Sequence, residues 1–497
     1  MNNPGWQLLL QQGIQAVRSR QGRTALQLLQ QASDLQPGSR EVRHWLGQAQ
    51  RLCGQVTLAE KTFRSLLASR PLDAETALAL AFLLREHGRL DEHGQVLIQF
   101  AQQPAVETPV LLQIAGVLRD SNRFHDAIKV MQDVVNRENE PAIHHFRLAR
   151  LYQGTGQYDA ALQSYRDTLQ RDANQGGAWL GLATLQHFDD PRNPDWQMLV
   201  SSPEPAGNPE AAMCLAFARA KGFDDLKLYG QAWVHLQEGN RLRQLSQPWD
   251  QAAWQTQFER ASLQHAESLI TNPPQRRPVF IVGMLRAGTT LLEQLLDQHP
   301  QMTARGELNF LAHAWKLWHQ EKPSRALAEE LAAQVWKHMR QDGPEEQFYI
   351  DKNPLNFRFL PLIANLMPEA KVLHLQRDGR DSCLSCFMQV FQHPDSAFAN
   401  SLDDLVQVYH DYRQLAQQFG REMRGQVFTL AYEDLVNDSE KTLQAVQEFL
   451  ELPSADTGSN RNNPGQATER PIRTASAWQA RQEIHRRSLG RWQNYRE

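Results

Sequence analysis

The residues best able to do chemistry lie in one stretch. Gly283-Met284-Leu285-Arg286-Ala287-Gly288-Thr289-Thr290 follows the apolar run Val279-Phe280-Ile281-Val282 and precedes an apolar helical segment. That order predicts a strand, a glycine loop and a helix. Such a loop aims unpaired backbone N–H groups and the positive end of a helix at an anion. Its G-x-x-x-x-G spacing is that of the phosphate loop of nucleotide triphosphatases, but the Lys-Ser/Thr that bridges terminal phosphates and holds magnesium is replaced by Thr289-Thr290. The cation comes from inside the loop, at Arg286. An adenylyl donor with fewer terminal charges than ATP fits that set of groups better.

The segment VFIVGMLRAGTTLLEQLLDQHP resembles the 5′-phosphosulfate loop of sulfotransferases, above all that of tyrosylprotein sulfotransferases and their bacterial tetratricopeptide-linked relatives. The usual loop reads PRSGTT. Here Leu285 and Ala287 replace its proline and serine, while Arg286, Gly288, Thr289 and Thr290 remain. The resemblance implies PAPS (3′-phosphoadenylyl sulfate) as donor, with Arg286, Ala287, Gly288, Thr289 and Thr290 around it and Arg286 also catalytic.

Arg305-Gly306-Glu307 resembles the family's Gly-Glu segment, which makes Glu307 the expected base. A phenol with a pKa of about 10 is a poor nucleophile at neutral pH, so a carboxylate in reach helps by taking its proton as the S–O bond forms. Phe348-Tyr349-Ile350-Asp351-Lys352-Asn353-Pro354 resembles the family's Lys-x-Pro segment. Lys352 would then stabilise charge building on the departing phosphate oxygen. A competing reading makes Asp351 a magnesium-holding carboxylate at a strand end.

A further strand-like run, Lys371 to Gln376, leads into Arg377-Asp378-Gly379-Arg380-Asp381-Ser382-Cys383-Leu384-Ser385. This resembles the 3′-phosphate segment, with Arg377 and Ser385 on the phosphate that distinguishes PAPS from ATP. Gln389 stands where the tyrosylprotein enzymes carry another arginine. Leu430 to Leu435 resembles the strand and tyrosine that contact the nucleotide, here Tyr432. In the tail, Ser476 matches a serine that steadies the transition state, and Arg491, before Trp492, matches a 3′-phosphate lysine. Eight arginines against three glutamates from Arg461 to Glu497 suit a flap over an anionic cofactor.

These segments need a scaffold that brings strand ends together. The resemblance implies a P-loop-like α/β domain with a central parallel sheet, expected over 273–497. Ahead of it, the sequence repeats at a period of 34. Small residues recur at Gly13, Gly47, Ala81, Ala115 and Ala149, and again at Ala25, Ala59, Ala127 and Ala161, with the larger His93 in the same column; larger apolar ones recur at Leu29, Phe63, Leu97, Met131 and Tyr165. Small side chains let two helices touch, and a larger one fills the groove against the next hairpin. Pro37 and Pro71 mark helix ends, and Gly22, Gly54, Gly88 and Gly156 lie in or near turns. This is the tetratricopeptide pattern, so an α-solenoid is expected over 1–272. Its concave surface suits a peptide or protein partner, including the acceptor; bracing or dimerising the catalytic domain is the other use.

Composition sets the remaining bounds. The 497 residues exceed one ordinary core, and 52 basic against 56 acidic side chains give a net charge of −4, which does not favour nucleic acid. No apolar run approaches the roughly 18 residues of a membrane span, and the N-terminus lacks a basic region and a cleavage site, so a cytoplasmic protein without a membrane partner is expected. Of four cysteines, Cys383 and Cys386 form a C-x-x-C pair, read as packing residues since no second pair completes a zinc site. No residue requires a metal. The expected reaction moves a sulfuryl group from PAPS to a hydroxyl, with a tyrosine of a peptide or protein as first acceptor and a carbohydrate or small molecule as second. A P-loop kinase or phosphatase and a non-catalytic repeat scaffold are the readings from other classes.

Overall fold

The computed structural model describes residues 5–137, 141–264, 268–321, 323–341, 343–344, 347–452, 484 and 486–496. The chain forms two compact units, Met1–Thr155 and Gly156–Glu497.

In the first unit the 34-residue period becomes a row of antiparallel helices: α1 (Gly5–Arg18), α2 (Gly22–Leu35), α3 (Arg40–Leu52), α4 (Val56–Ser69), α5 (Ala74–Glu86), α6 (Leu90–Ala101), α7 (Thr108–Asp120), α8 (Phe124–Val135) and α9 (Ala142–Gly154). The small-residue column is small because the apolar column presses on it. A Cβ on Gly13 would stand 2.5 Å from Leu29, and one on Gly47 would stand 2.6 Å from Phe63. His93 occupies its small-residue position fully buried, with Nδ1 2.8 Å from the Ala81 carbonyl oxygen, and burial lowers its pKa. The turns show a repeat of their own: Arg20, Gly54, Gly88, Asn122 and Gly156, each 34 apart, have φ of 57°, 72°, 72°, 61° and 79°. Only glycine adopts that left-handed geometry without steric cost, so Arg20 and Asn122 are the strained members of the series.

The second unit begins with α10 (Tyr158–Arg171), α11 (Gly176–Thr184), α12 (Pro194–Ser201), α13 (Pro209–Asp225), α14 (Tyr229–Ser246) and α15 (Gln251–Ser262). Strands and helices then alternate: β1 (Pro278–Gly283), α16 (Thr289–Leu296), β2 (Met302–Ala304), α17 (Phe310–Gln320), α18 (Arg325–Arg340), β3 (Phe348–Lys352), α19 (Leu360–Leu366), β4 (Lys371–Gln376), α20 (Gly379–Phe387), α21 (Leu402–Glu422), β5 (Val427–Ala431), α22 (Tyr432–Asn437) and α23 (Ser439–Phe449). The boundary expected at 272/273 falls inside this unit. α14 and α15 are fastened to the sheet domain by Asn240 Nδ2 to the Phe387 carbonyl and by Trp254 Nε1 to Asp411 Oδ2, both at 2.8 Å. Trp254 and Phe217 share one apolar core with Phe280 and Val282 of β1.

Among the described residues, the strands form one all-parallel sheet in the order β2-β3-β1-β4-β5. β1 reads as an unbroken apolar run because it is buried on both faces, as a central parallel strand must be. From β1 the chain builds two strands to one side, then two to the other. Ligands of such sheets bind outside the carboxyl ends of the strands at this reversal. Gly283, Lys352 and Gln376 end the three central strands there. None of the described helices is long and apolar enough to cross a membrane.

Candidate active site

The glycine loop is fixed from both sides. A Cβ on Gly283 would stand 2.4 Å from the Leu375 carbonyl oxygen, so β1 can turn away from β4 only as glycine. Met284 and Leu285 then point into the apolar core, which explains a leucine where the usual loop has proline. Arg286 and Gly288 are both left-handed, at φ 66° and 99°, and a Cβ on Gly288 would meet Tyr432 Cδ2 at 2.4 Å. Thr289 and Thr290 open α16 as buried residues. Alternating handedness of this kind turns successive N–H groups toward one point, the geometry of an anion nest.

Arginines converge on the loop. Arg286 donates from Nε to Ser385 Oγ at 3.1 Å, which joins the expected 5′ and 3′ segments directly. Burial lowers its pKa to about 10, and Arg377 and Arg491 nearby push in the same direction. Arg377 donates from Nη1 to the Arg286 carbonyl at 2.9 Å and from Nη2 to the Ser488 carbonyl at 2.6 Å, and it lies 4.8 Å over the Tyr432 ring. Its buried Nε has no hydrogen-bond partner among the described residues. A buried guanidinium N–H left unmatched is costly, and an anionic ligand would satisfy it. Residues 486–496 pack onto this region: Asp381 accepts from the backbone N–H of Gly490 at 2.6 Å and of Trp492 at 3.0 Å, while Tyr432 and Ser488 hydroxyls meet at 2.8 Å. Arg491 is ion-paired to Asp224 at the end of α13, and Tyr495 bonds to the same carboxylate. Ser476 lies outside the described residues.

Beside the cationic cradle sits an acid–lysine centre. Lys352, wholly buried, places Nζ 2.6 Å from Glu307 Oε1 and 4.0 Å from Glu293 Oε2. The Glu307 loop is pinned to β3 by Arg305 N–H to the Ile350 carbonyl and Lys352 N–H to the Gly306 carbonyl, both 2.9 Å. Asp351, the alternative magnesium carboxylate, is turned inward. One oxygen accepts from Leu308 N–H and the other from Asn356 Nδ2, each at 3.1 Å, and burial raises its pKa to about 8. It braces the Glu307 loop, and among the described residues no group of acidic, histidine or cysteine side chains is arranged to hold a metal.

His374 is held between Tyr412 Oη at 2.7 Å and Thr429 Oγ1 at 3.1 Å, and burial lowers it to about 4, which makes it a weak proton acceptor. The Cys383 and Cys386 thiols are free and burial raises both, Cys383 to about 11; Cys386 packs under the loop with Sγ 3.4 Å from the Leu285 carbonyl. The C-x-x-C pair is packing.

The structure thus joins Arg286, Ser385, Arg377 and Tyr432 in one contact group, around the loop of Ala287 to Thr290, and Glu307 with Lys352 in another. Sequence reasoning missed Glu293, Asp381, Ser488 and Asp224. Glu293 had a signal, a lone acid inside the apolar Leu291-Leu292 to Leu295-Leu296 helix; Asp224, more than 260 residues from Arg491 in sequence, had none.

Fold and site together belong to the P-loop-like α/β class, with an anion cradle at the sheet's reversal and an acid–lysine pair beside it. Within that class, residues 278–456 match the Sulfotransferase family and residues 145–176 match the tetratricopeptide repeat. An uncharacterized protein of Aquifex aeolicus (strain VF5) is 26% identical over 92% of this chain and 68% of its own length. Protein-tyrosine sulfotransferase 2 of Gallus gallus is 24% identical over 36% of this chain; the match spans 52% of that relative, about half its length. Among solved structures, the sulfotransferase domain from the Synechococcus PCC 7002 olefin synthase aligns at 20% identity and TM-score 0.32, over 45% of this chain and 90% of that one.

Proposed function

We propose that the protein is a PAPS-dependent sulfotransferase acting on a hydroxyl, with a tyrosine of a peptide or protein as its acceptor. The observation that carries this reading is the Arg377 guanidinium beside the glycine loop, whose buried Nε has no partner among the described residues and would suit the 3′-phosphate that ATP lacks. The loop N–H groups of Ala287 to Thr290 and the Arg286 guanidinium hold the 5′ side of the donor. Arg377 and Ser385 hold the 3′-phosphate, joined by Arg491 once it exchanges Asp224 for the ligand. Tyr432 backs the loop, and the resemblance assigns Ser476 to the transition state.

In the transfer, the acceptor oxygen forms a bond to sulfur in line with the departing phosphate oxygen, whose bond to sulfur breaks. The hydroxyl proton passes to Glu307, and adenosine 3′,5′-bisphosphate leaves. Lys352 and Arg286 act on the charge that appears on the bridging oxygen, where fixed cations are most effective. Positioning and charge do the work, as in phosphoryl transfer. The repeat unit serves as a platform for the peptide, and the four free cysteines fit a reducing, cytoplasmic compartment.

Calorimetry with adenosine 3′,5′-bisphosphate, adenosine 5′-phosphate and ATP tests the donor: equal affinity for the three would remove PAPS from the reading. Transfer of labelled sulfate to a tyrosine peptide, against a saccharide and a simple phenol, tests the acceptor.

A further inference from the structure

One carboxyl next to the Glu307–Lys352 pair has no part in the reaction as drawn. Glu293 sits inside α16, the helix that the glycine loop opens. Its Oε1 accepts the Gly306 N–H at 3.0 Å and its Oε2 stands 4.0 Å from Lys352 Nζ. The Lys352 ammonium therefore has two carboxyl seats. Glu307 is the near one and is 40% exposed, open to an acceptor; Glu293 is the far one and is only 8% exposed. A buried carboxyl is unfavourable unless a charge partner holds it, and a neutral amide could accept from Gly306 equally well. Helix packing alone gives no reason for the acid.

The chemistry supplies a reason. When Glu307 takes the acceptor proton, its charge is neutralised and Lys352 loses its near partner. At that moment the ammonium must stay charged and stay in the cleft, because negative charge is appearing on the departing phosphate oxygen. We propose that Glu293 is a positioning residue for Lys352, its carboxylate holding the ammonium in place while Glu307 is protonated. This rests on the sulfotransferase reading and adds to it a residue that acts through Lys352.

The groups facing Glu293 are Lys352 and Asp351 on β3, Glu307 on the loop after β2 and Asp297 at the end of its own helix. Burial raises its pKa to about 7, and Asp297 and Glu307 add to the rise, while Lys352 and the Gly306 N–H oppose it. The carboxylate form is therefore the majority only above about pH 7, and the holding role switches on there.

Glu293→Gln keeps the shape and the acceptor for Gly306 while removing the charge. The full chain and this variant are compared with PAPS and a tyrosine peptide from pH 6 to pH 8.5, alongside adenosine 3′,5′-bisphosphate binding. The expected result is unchanged bisphosphate affinity and PAPS KM, a kcat lowered roughly tenfold at pH 8.5, and convergence of the two enzymes at pH 6, where the native residue is also neutral. A kcat ratio that does not change with pH, or no loss at all, would overturn the proposal while leaving the enzyme a sulfotransferase. If Glu293→Gln fails to fold, Glu293→Asp takes its place; it retains a titrating limb with a lower kcat, and a kcat equal to the native one overturns the proposal. No sulfate transfer by the native chain would refute the sulfotransferase reading itself, and the Glu293 proposal with it.

Discussion

Replacing Arg377 with methionine separates a 3′-phosphate site from an ordinary structural arginine. Each of its two Nη groups gives one N–H to a carbonyl, of Arg286 and of Ser488, while Nε has no partner among the described residues and is the N–H a ligand would add to. One charge-assisted hydrogen bond to phosphate contributes about 1.5–3 kcal/mol, which is roughly 10- to 150-fold in affinity. Loss of the two Nη bonds loosens the loop and the tail, but that penalty falls on any nucleotide alike. The informative quantity is therefore the ratio of affinities for adenosine 3′,5′-bisphosphate and adenosine 5′-phosphate, measured by calorimetry at one salt concentration. Arg377→Met should collapse that ratio by the factor above. Ser385→Ala should lower it less, because Ser385 also accepts from Arg286 and its loss disturbs both ligands. Equal weakening of the two ligands by Arg377→Met would show that the arginine only ties Ser488 to the loop, and the 3′-phosphate assignment would be lost.

Other perturbations follow from the same geometry. Glu307→Ala should lower sulfate transfer to a tyrosine peptide by roughly 10²–10⁴-fold with bisphosphate binding retained; full activity would remove Glu307 as base. Gly288→Ala, at φ 99° and 2.4 Å from Tyr432, should abolish bisphosphate binding and lower the Tm, at a strain of about 2 kcal/mol or more. Arg20→Gly should stabilise the repeats by about 0.5–1 kcal/mol in denaturant melts, relief of the left-handed strain outweighing the added freedom of the unfolded chain. The buried Glu293 carboxyl has a folded pKa of about 7, above its unfolded value. The folded state thus holds the extra proton, and this contribution to stability, full below about pH 4, is lost as pH rises through 7. Glu293→Gln should flatten the fall in stability between pH 5 and 8 in urea melts.

What could be read from the sequence was local in the chain. The glycine loop was legible because its φ requirements and the close approaches of Leu375 and Tyr432 leave few residue types open at Gly283 and Gly288. The repeats were legible because Gly13 on Leu29 and Gly47 on Phe63 impose size at a fixed interval. At its first occurrence the left-handed position is Arg20, two residues before Gly22, because the period and not the residue type sets the backbone.

The rest depended on pairs far apart in sequence. The expected boundary at 272 rested on a change in texture at the linker, yet Asn240 and Trp254 reach the sheet domain across about 150 residues of chain, and no periodicity reports such a contact. Arg491 was legible as a cation before a tryptophan; its partner Asp224 lies in a helix whose sequence says nothing of nucleotides. That pairing changes what the arginine does. A guanidinium already matched by a carboxylate gains from a phosphate only the difference between two anions, so on the proposed reading Arg491 would add less to donor affinity than an arginine with no such partner. Arg377 lacks such a competitor at Nε among the described residues, so on the proposed reading discrimination of a 3′-phosphate would fall on it first.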